Sequence, residues 1–103
     1  MKVYAVIQHD QYECDCSSII VKHNAFFDKN KALAHANKVY KSMCEDYADE
    51  MEQYSNEDAF EEVSQGSLYI EQDDEHGYYF LSFGRGEERE THCISVEEFA
   101  IIE

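Results

Sequence analysis

The stretch DKNKALAHANKVYKSMCEDYADEMEQY, residues 28–54, decides the reading of the fold. Within it Ala32, Leu33, Ala36, Val39, Tyr40, Met43, Cys44, Tyr47, Met51 and Tyr54 recur at spacings of three and four. At about 100° per residue they fill an arc of roughly 140° on a helical wheel. Asp28 stands where an N-cap belongs, and Ser55-Asn56 interrupts the pattern at its far end. The spacing predicts one long helix, Lys29 to Tyr54, about 39 Å in length at 1.5 Å per residue. A second, shorter helix through Val63 follows, with Ser55-x-x-Asp58 as a variant of the capping box.

Outward from the helix the chain reads as strands. Val3 to Gln8 and Ser18 to Phe27 are rich in Val, Ile and Phe and flank an irregular loop, Asp10 to Ser17. After Gly66 come Ser67 to Gln72, a turn at Asp73 to Gly77, Tyr78 to Phe83, a turn at Gly84-Arg85-Gly86, and Glu88 to Ile94. Ser95-x-x-Glu98 reads as the opening of a last short helix. The order β-β-α-(α)-β-β-β predicts an α+β fold: an antiparallel sheet of four to five strands with one long helix packed on a face. With 103 residues the chain is expected to form a single domain, 1–103. No signal-peptide pattern opens it and no apolar run approaches the ~20 residues of a membrane span, so a soluble, cytoplasmic protein is expected.

The charge is the unusual feature. Eight Lys and Arg stand against 23 Asp and Glu, for a net charge of -15. Residues 42–84 hold thirteen of the acids and no Lys or Arg. Glu45, Asp46, Asp49, Glu50, Glu52, Glu57, Asp58, Glu61 and Glu62 fall inside eighteen residues, interleaved with Tyr47, Met51, Tyr54, Phe60 and Val63. Regular apolar insertions mark a folded face, which a disordered acidic tail would lack. The order of charges also runs against the helix macrodipole: Lys31, Lys38 and Lys41 come first and the acids last. Acids at i and i+4, such as Glu45 with Asp49 and Asp46 with Glu50, repel by a few tenths of a kcal/mol per pair. A helix tuned only for stability would interleave the signs.

Such a balance argues against direct contact with nucleic acid or an anionic membrane and leaves a cationic partner, a metal or plain solubility. On a straight helix Glu45, Asp49 and Glu52 lie within about 60° of one another, a row at intervals of roughly 5–6 Å. Nine acids over ~27 Å give about one charge per 3 Å, half the linear density of duplex DNA. A solvated helix face would show the same composition without the reversed charge order.

Other candidates carry less. Cys14, Cys16, His92 and Cys93 form a conceivable zinc set, but Cys-x-Cys with an adjacent His-Cys departs from the paired spacing of structural zinc sites, and free or buried thiols are the simpler reading. Asp73-Asp74-Glu75 precedes Gly77 without the twelve-residue calcium pattern, which leaves a charged hairpin turn. Ser17, Ser18, Ser82 and the four Cys lack a glycine-framed elbow, and there is no phosphate loop, so no catalytic residue and no cofactor is expected. His23 and His35 read as surface or half-buried side chains.

Two resemblances add to this. Val3-Tyr4-Ala5-Val6-Ile7, Ile19-Ile20-Val21 and Phe26-Phe27-Asp28-Lys29-Asn30-Lys31-Ala32 with Ala36 resemble small phage and bacterial ββα proteins, over about the first 40 residues. That implies a ββα beginning and a phage or mobile-element context, and no activity. The acidic middle is similar in composition to DNA-mimic inhibitors, such as anti-CRISPR and anti-restriction proteins. The expected function is therefore a non-enzymatic inhibitor whose acidic helix docks in the basic nucleic-acid groove of a host defence nuclease and blocks target loading. The alternatives are an acidic immunity or antitoxin protein that plugs a nuclease toxin, or a small metal-binding structural protein.

Overall fold

The computed structural model describes residues 1–14, 16–54 and 67–101. In chain order the elements are β1 (Lys2–Tyr12), β2 (Ser17–Phe26), α1 (Lys29–Asp46), α2 (Ala48–Tyr54), β3 (Ser67–Asp73), β4 (Tyr78–Gly84) and β5 (Glu90–Ala100). The five strands form one antiparallel sheet in the order β2-β1-β5-β4-β3, which makes the fold α+β.

Side chains alternate across the sheet, and the residues that face the helices come from alternate positions: Val6 on β1, Ile94 on β5, and Tyr79, Leu81 and Phe83 on β4. Against them α1 sets Ala32, Ala36, Tyr40 and Met43, the three-and-four spacing of one helical face. The two alanines let the helix backbone approach the sheet, and Tyr40 stacks on Tyr79 with ring centroids 4.5 Å apart. The Asp28 carboxylate accepts from the Asn30 backbone N–H at 2.8 Å, the N-cap expected from sequence.

The expected single helix is divided. α1 ends at Asp46, and Tyr47 takes φ -107° and ψ 20°, outside helical values. The hydrogen bonds on either side survive, Tyr47 N–H to the Met43 carbonyl at 3.0 Å and Met51 N–H to the Tyr47 carbonyl at 2.9 Å, so the chain bends without opening a loop. The physical cause is aromatic: Tyr47 lies on the His92 ring, centroids 4.5 Å apart, and against Phe83 at 5.3 Å. The bend also gives α2 its own N-terminus, where Asp49 and Glu50 stand in the first turn and oppose the macrodipole favourably.

Two other expectations are corrected. β1 continues through Asp10 to Tyr12, residues expected in the loop, because Asp10 pairs with His92 in the β1–β5 ladder. The short helix at Ser95-x-x-Glu98 is absent: the Ser95 hydroxyl donates to the Glu97 carboxylate at 3.0 Å instead of capping a turn, and Ser95 to Ala100 pair with β1. The expected helix through Val63 lies outside the described residues.

The β3–β4 turn is held by Asp73, whose carboxylate accepts from the His76 backbone N–H at 3.1 Å, and closes on Gly77 at φ +67°. A Cβ there would meet Val96 Cγ2 at 2.6 Å and Leu33 Cδ2 at 2.7 Å, whereas Gly86, at φ +54°, has open space. Gly77→Ala is therefore expected to cost about 2–5 kcal/mol, backbone conformation plus overpacking, and Gly86→Ala about 1–2 kcal/mol. Urea unfolding of the two variants checks the difference, and equal costs would contradict the close packing of α1 on this turn.

Candidate functional site

The acidic side chains expected to bind a partner divide into two groups. Glu45 and Asp46 close α1, and Asp49, Glu50 and Glu52 lie on α2; all are exposed except Glu50, which is half-buried. Glu57, Asp58, Glu61 and Glu62 lie outside the described residues. Among the described residues none of Glu45, Asp46, Asp49 and Glu50 is ion-paired. The bend at Tyr47 separates Glu45 from Asp49 and Glu52, so the straight row becomes a ridge with a change of direction. Tyr47 and Tyr54 face the core beneath it, each against Phe83.

Below the ridge runs a polar network that crosses the helix-covered face of the sheet. His92 is fully buried; its Nδ1 lies 2.6 Å from Asp10 Oδ1 and its Nε2 2.9 Å from Glu90 Oε1. Each ring nitrogen thus has a carboxylate partner, Asp10 on one side and Glu90 on the other. Tyr47 covers one face of the ring, and Tyr12 meets it edge-on at 6.0 Å. Burial raises the pKa of the Tyr12 and Tyr47 hydroxyls, and their carboxylate neighbours Asp10 and Glu90 add to it.

The network continues outward. Gln8 Nε2 donates to both Asp10 oxygens, at 3.0 and 3.1 Å, which turns Oε1 of the same amide toward His23. His23 Nε2, 3.0 Å away, is therefore the donor. The β1–β2 register shifts between Ala5 and Ile7, and the extra residue this places on β2 lets both His23 and Phe26 face α1, where His35 meets their rings at 6.3 and 5.4 Å. Between α1 and this part of the sheet lies a cleft of about 370 Å³, lined by Gln8, His23, His35, Lys38, Ser42 and Asp46 among others. Asp46 thus belongs both to the acidic ridge and to the cleft mouth.

The remaining candidates stay apart. All four cysteines are free; Cys14 and Cys16 are exposed in the β1–β2 connection. Cys93 and His92 are neighbours on β5 and point to opposite faces, and both His92 nitrogens are already engaged, so the conceivable zinc set is not assembled. Among the described residues no group of three or more His, Cys, Asp or Glu is arranged to hold a metal ion. Asp73 serves the turn: its carboxylate contacts His76 Nδ1 at 2.8 Å, and this bond holds its pKa below the usual range. Asp74 is lowered chiefly by the Tyr79 hydroxyl, which donates to it at 2.7 Å. The buried His92 network had one signal in the sequence, the two-residue alternation of Val6, Gln8, Asp10 with Ile94, His92, Glu90. Assigning Asp10 to a loop concealed it.

Comparison of the chain with protein-family models, curated proteins and solved structures found no match.

Two outcomes follow from the network. Removing the imidazole in His92→Leu leaves Asp10 and Glu90 without their shared donor, with an expected loss of about 3–5 kcal/mol. A urea midpoint unchanged from the parent would contradict the role of the buried network. Burial, with His35 second, lowers the pKa of His23 below its ordinary 6.5. As pH falls through that value the unfolded chain takes up the proton first, so the stabilisation from neutral His23 is present above about pH 6.5 and lost below it. Melting temperatures between about pH 7.5 and 5 should fall less steeply in His23→Gln than in the parent; parallel curves would contradict this.

Proposed function

We propose that the chain is a non-enzymatic binding protein that lays its acidic helical ridge into the basic nucleic-acid groove of a host defence nuclease, a CRISPR-Cas effector or a restriction enzyme, and blocks loading of DNA or RNA. The observation that carries this reading is the unneutralised set Glu45, Asp46, Asp49 and Glu50, borne on consecutive turns at the α1–α2 bend. A protein groove built for phosphates presents Lys and Arg at comparable intervals, and each would find a carboxylate here in place of a phosphate. The bend supports the reading as well, since a phosphate backbone in a protein groove curves and a straight helix does not follow it.

Internal support separates the ridge from the fold. Glu45, Asp46, Asp49 and Glu50 contribute no ion pair among the described residues, while the apolar side of the same two helices, from Met43 through Tyr47 and Met51 to Tyr54, is packed on the sheet. The charges are therefore available to a partner without loss of the core. Long-range attraction would steer such a pair together and make association fast.

Changing Glu45, Asp49 and Glu52 together to Lys is expected to leave the melting temperature close to the parent's, because relief of like-charge repulsion offsets the loss of Asp49 from the first turn of α2. Inhibition of the target nuclease should be lost. In the parent protein, pre-bound duplex DNA or guide RNA should protect the target, and affinity should fall steeply from ~50 to ~500 mM salt as the Debye length drops well below ~10 Å. Full inhibition by the triple variant, or a salt-insensitive complex on a groove already filled with nucleic acid, would refute the proposal.

A further inference from the structure

The sheet has a second face, and among the described residues no element covers it. α1 and α2 both pack on the side of Val6, Leu81 and Ile94. The other side carries Ile7, Ile20, Tyr69, Tyr78, Phe80 and Phe99. Ile20 is 64%, Tyr69 54% and Phe99 51% exposed. These side chains form a continuous surface: His9 stands opposite Ile20 on one side and Cys93 on the other, Cys93 opposite Phe80, and Tyr69 meets Phe80 edge-on at 5.7 Å. An apolar area of this extent on a chain of net charge -15 is the unusual part of the surface.

We infer that this face binds the same face of a second copy of the chain, forming a two-fold symmetric β-sandwich with the acidic helices on the outside. Three observations select a second copy over another occupant. The first is charge: on the three inner strands, β1, β5 and β4, Glu97 is the sole Asp, Glu, Lys or Arg on this face among the described residues, so it is where two acidic molecules can meet with least repulsion. The second is area. Five strands at ~4.8 Å spacing and seven to eleven residues long cover about 550–850 Å², near the ~800 Å² per partner of a stable interface.

The third is symmetry. β5 is the central strand of the order β2-β1-β5-β4-β3. A two-fold axis parallel to β5, lying between the sheets, sets β5 on β5, β1 on the second copy's β4, and β2 on the second copy's β3, in the aligned packing sandwiches adopt. The edge charges then meet with opposite sign: Lys22 of β2 falls over Glu71 and Asp73 of the second copy's β3, twice in the dimer. Sheets ~10 Å apart with helices outside them hold the two acidic ridges about 30 Å from each other, beyond the ~8 Å Debye length of physiological salt.

Sedimentation velocity on the full chain, from about 1 to 500 μM, tests the inference. A dimer is expected, held or tightened when salt is raised from ~50 to ~500 mM, since apolar burial dominates and repulsion between ridges is screened. That response is opposite to the one expected of target binding, so failure of one reading is separable from failure of the other. Ile20→Glu with Phe99→Glu, at side chains exposed in one copy, should weaken the dimer by about 30-fold or more with an unchanged circular dichroism spectrum. Lys22→Glu should weaken it and Glu71→Lys in the same chain restore it. A monomer at every concentration, as it would be if residues of the same chain or a different protein met this face, overturns the inference. So does a dimer indifferent to Ile20→Glu with Phe99→Glu.

Discussion

A helix is ~10 Å wide and a sheet of five strands about 24 Å, so no single straight helix can cover it. The rest of the architecture follows from how this chain meets that constraint. α1 lies over β1, β5 and β2, and after the bend at Tyr47 α2 crosses to β4 and β3. The bend is where the helical cover passes from one half of the sheet to the other, and its residue is an aromatic that can lie flat on what is beneath. What is beneath is His92, on the central strand. The helix break, the aromatic cluster of Tyr12, Tyr47 and Phe83, and the buried hydrogen-bond network are thus one feature seen from three elements.

His92 also explains how so acidic a chain tolerates carboxylates in its interior. Asp10 and Glu90 reach the helix-covered face by strand alternation, and each would be costly there alone. One imidazole between them, with a ring stacked over it, meets both, and Gln8 satisfies the second oxygen of Asp10. Among the described residues no buried side-chain nitrogen or oxygen lacks a partner. The network joins β1 to β5 in register, with the ring wholly enclosed.

Local signals were legible in the sequence, and long-range ones were not. The Asp28 cap, the apolar face of α1, the turns at Asp73–Gly77 and Gly84–Gly86, and the α+β order all arise from neighbours in the chain, and spacing reveals them. The end of β1 and the fate of Ser95-x-x-Glu98 depend on partners about 80 residues away in the ladder Lys2↔Ala100 to Tyr12↔Glu90. Polar residues such as Asp10 and Gln11 look like loop until that ladder is known. The break at Tyr47 is of the same kind: nothing in the sequence around it excludes a helix, and the ring that bends the chain is held by His92, which lies far along the sequence. For the candidate site, the exposure of Glu45, Asp46, Asp49 and Glu52 was readable from the wheel, while their division between two helices was not.

The charge is layered in consequence. Carboxylates crowd the outer side of the helices, Asp10 and Glu90 are met by His92, and among the described residues the uncovered face of the inner strands carries Glu97 alone among Asp, Glu, Lys and Arg. Had the acids been spread evenly for solubility, the uncovered face would be the first place to put them, because it is where exposed apolar side chains most need a neighbouring charge. Instead Ile20, Tyr69 and Phe99 stand there, and the acids crowd a ridge where they repel one another. Each departure runs against the stability or solubility of an isolated molecule. Together they are the departures expected if, as proposed, the ridge meets a basic partner at long range and the uncovered face meets a second copy chiefly through apolar contact.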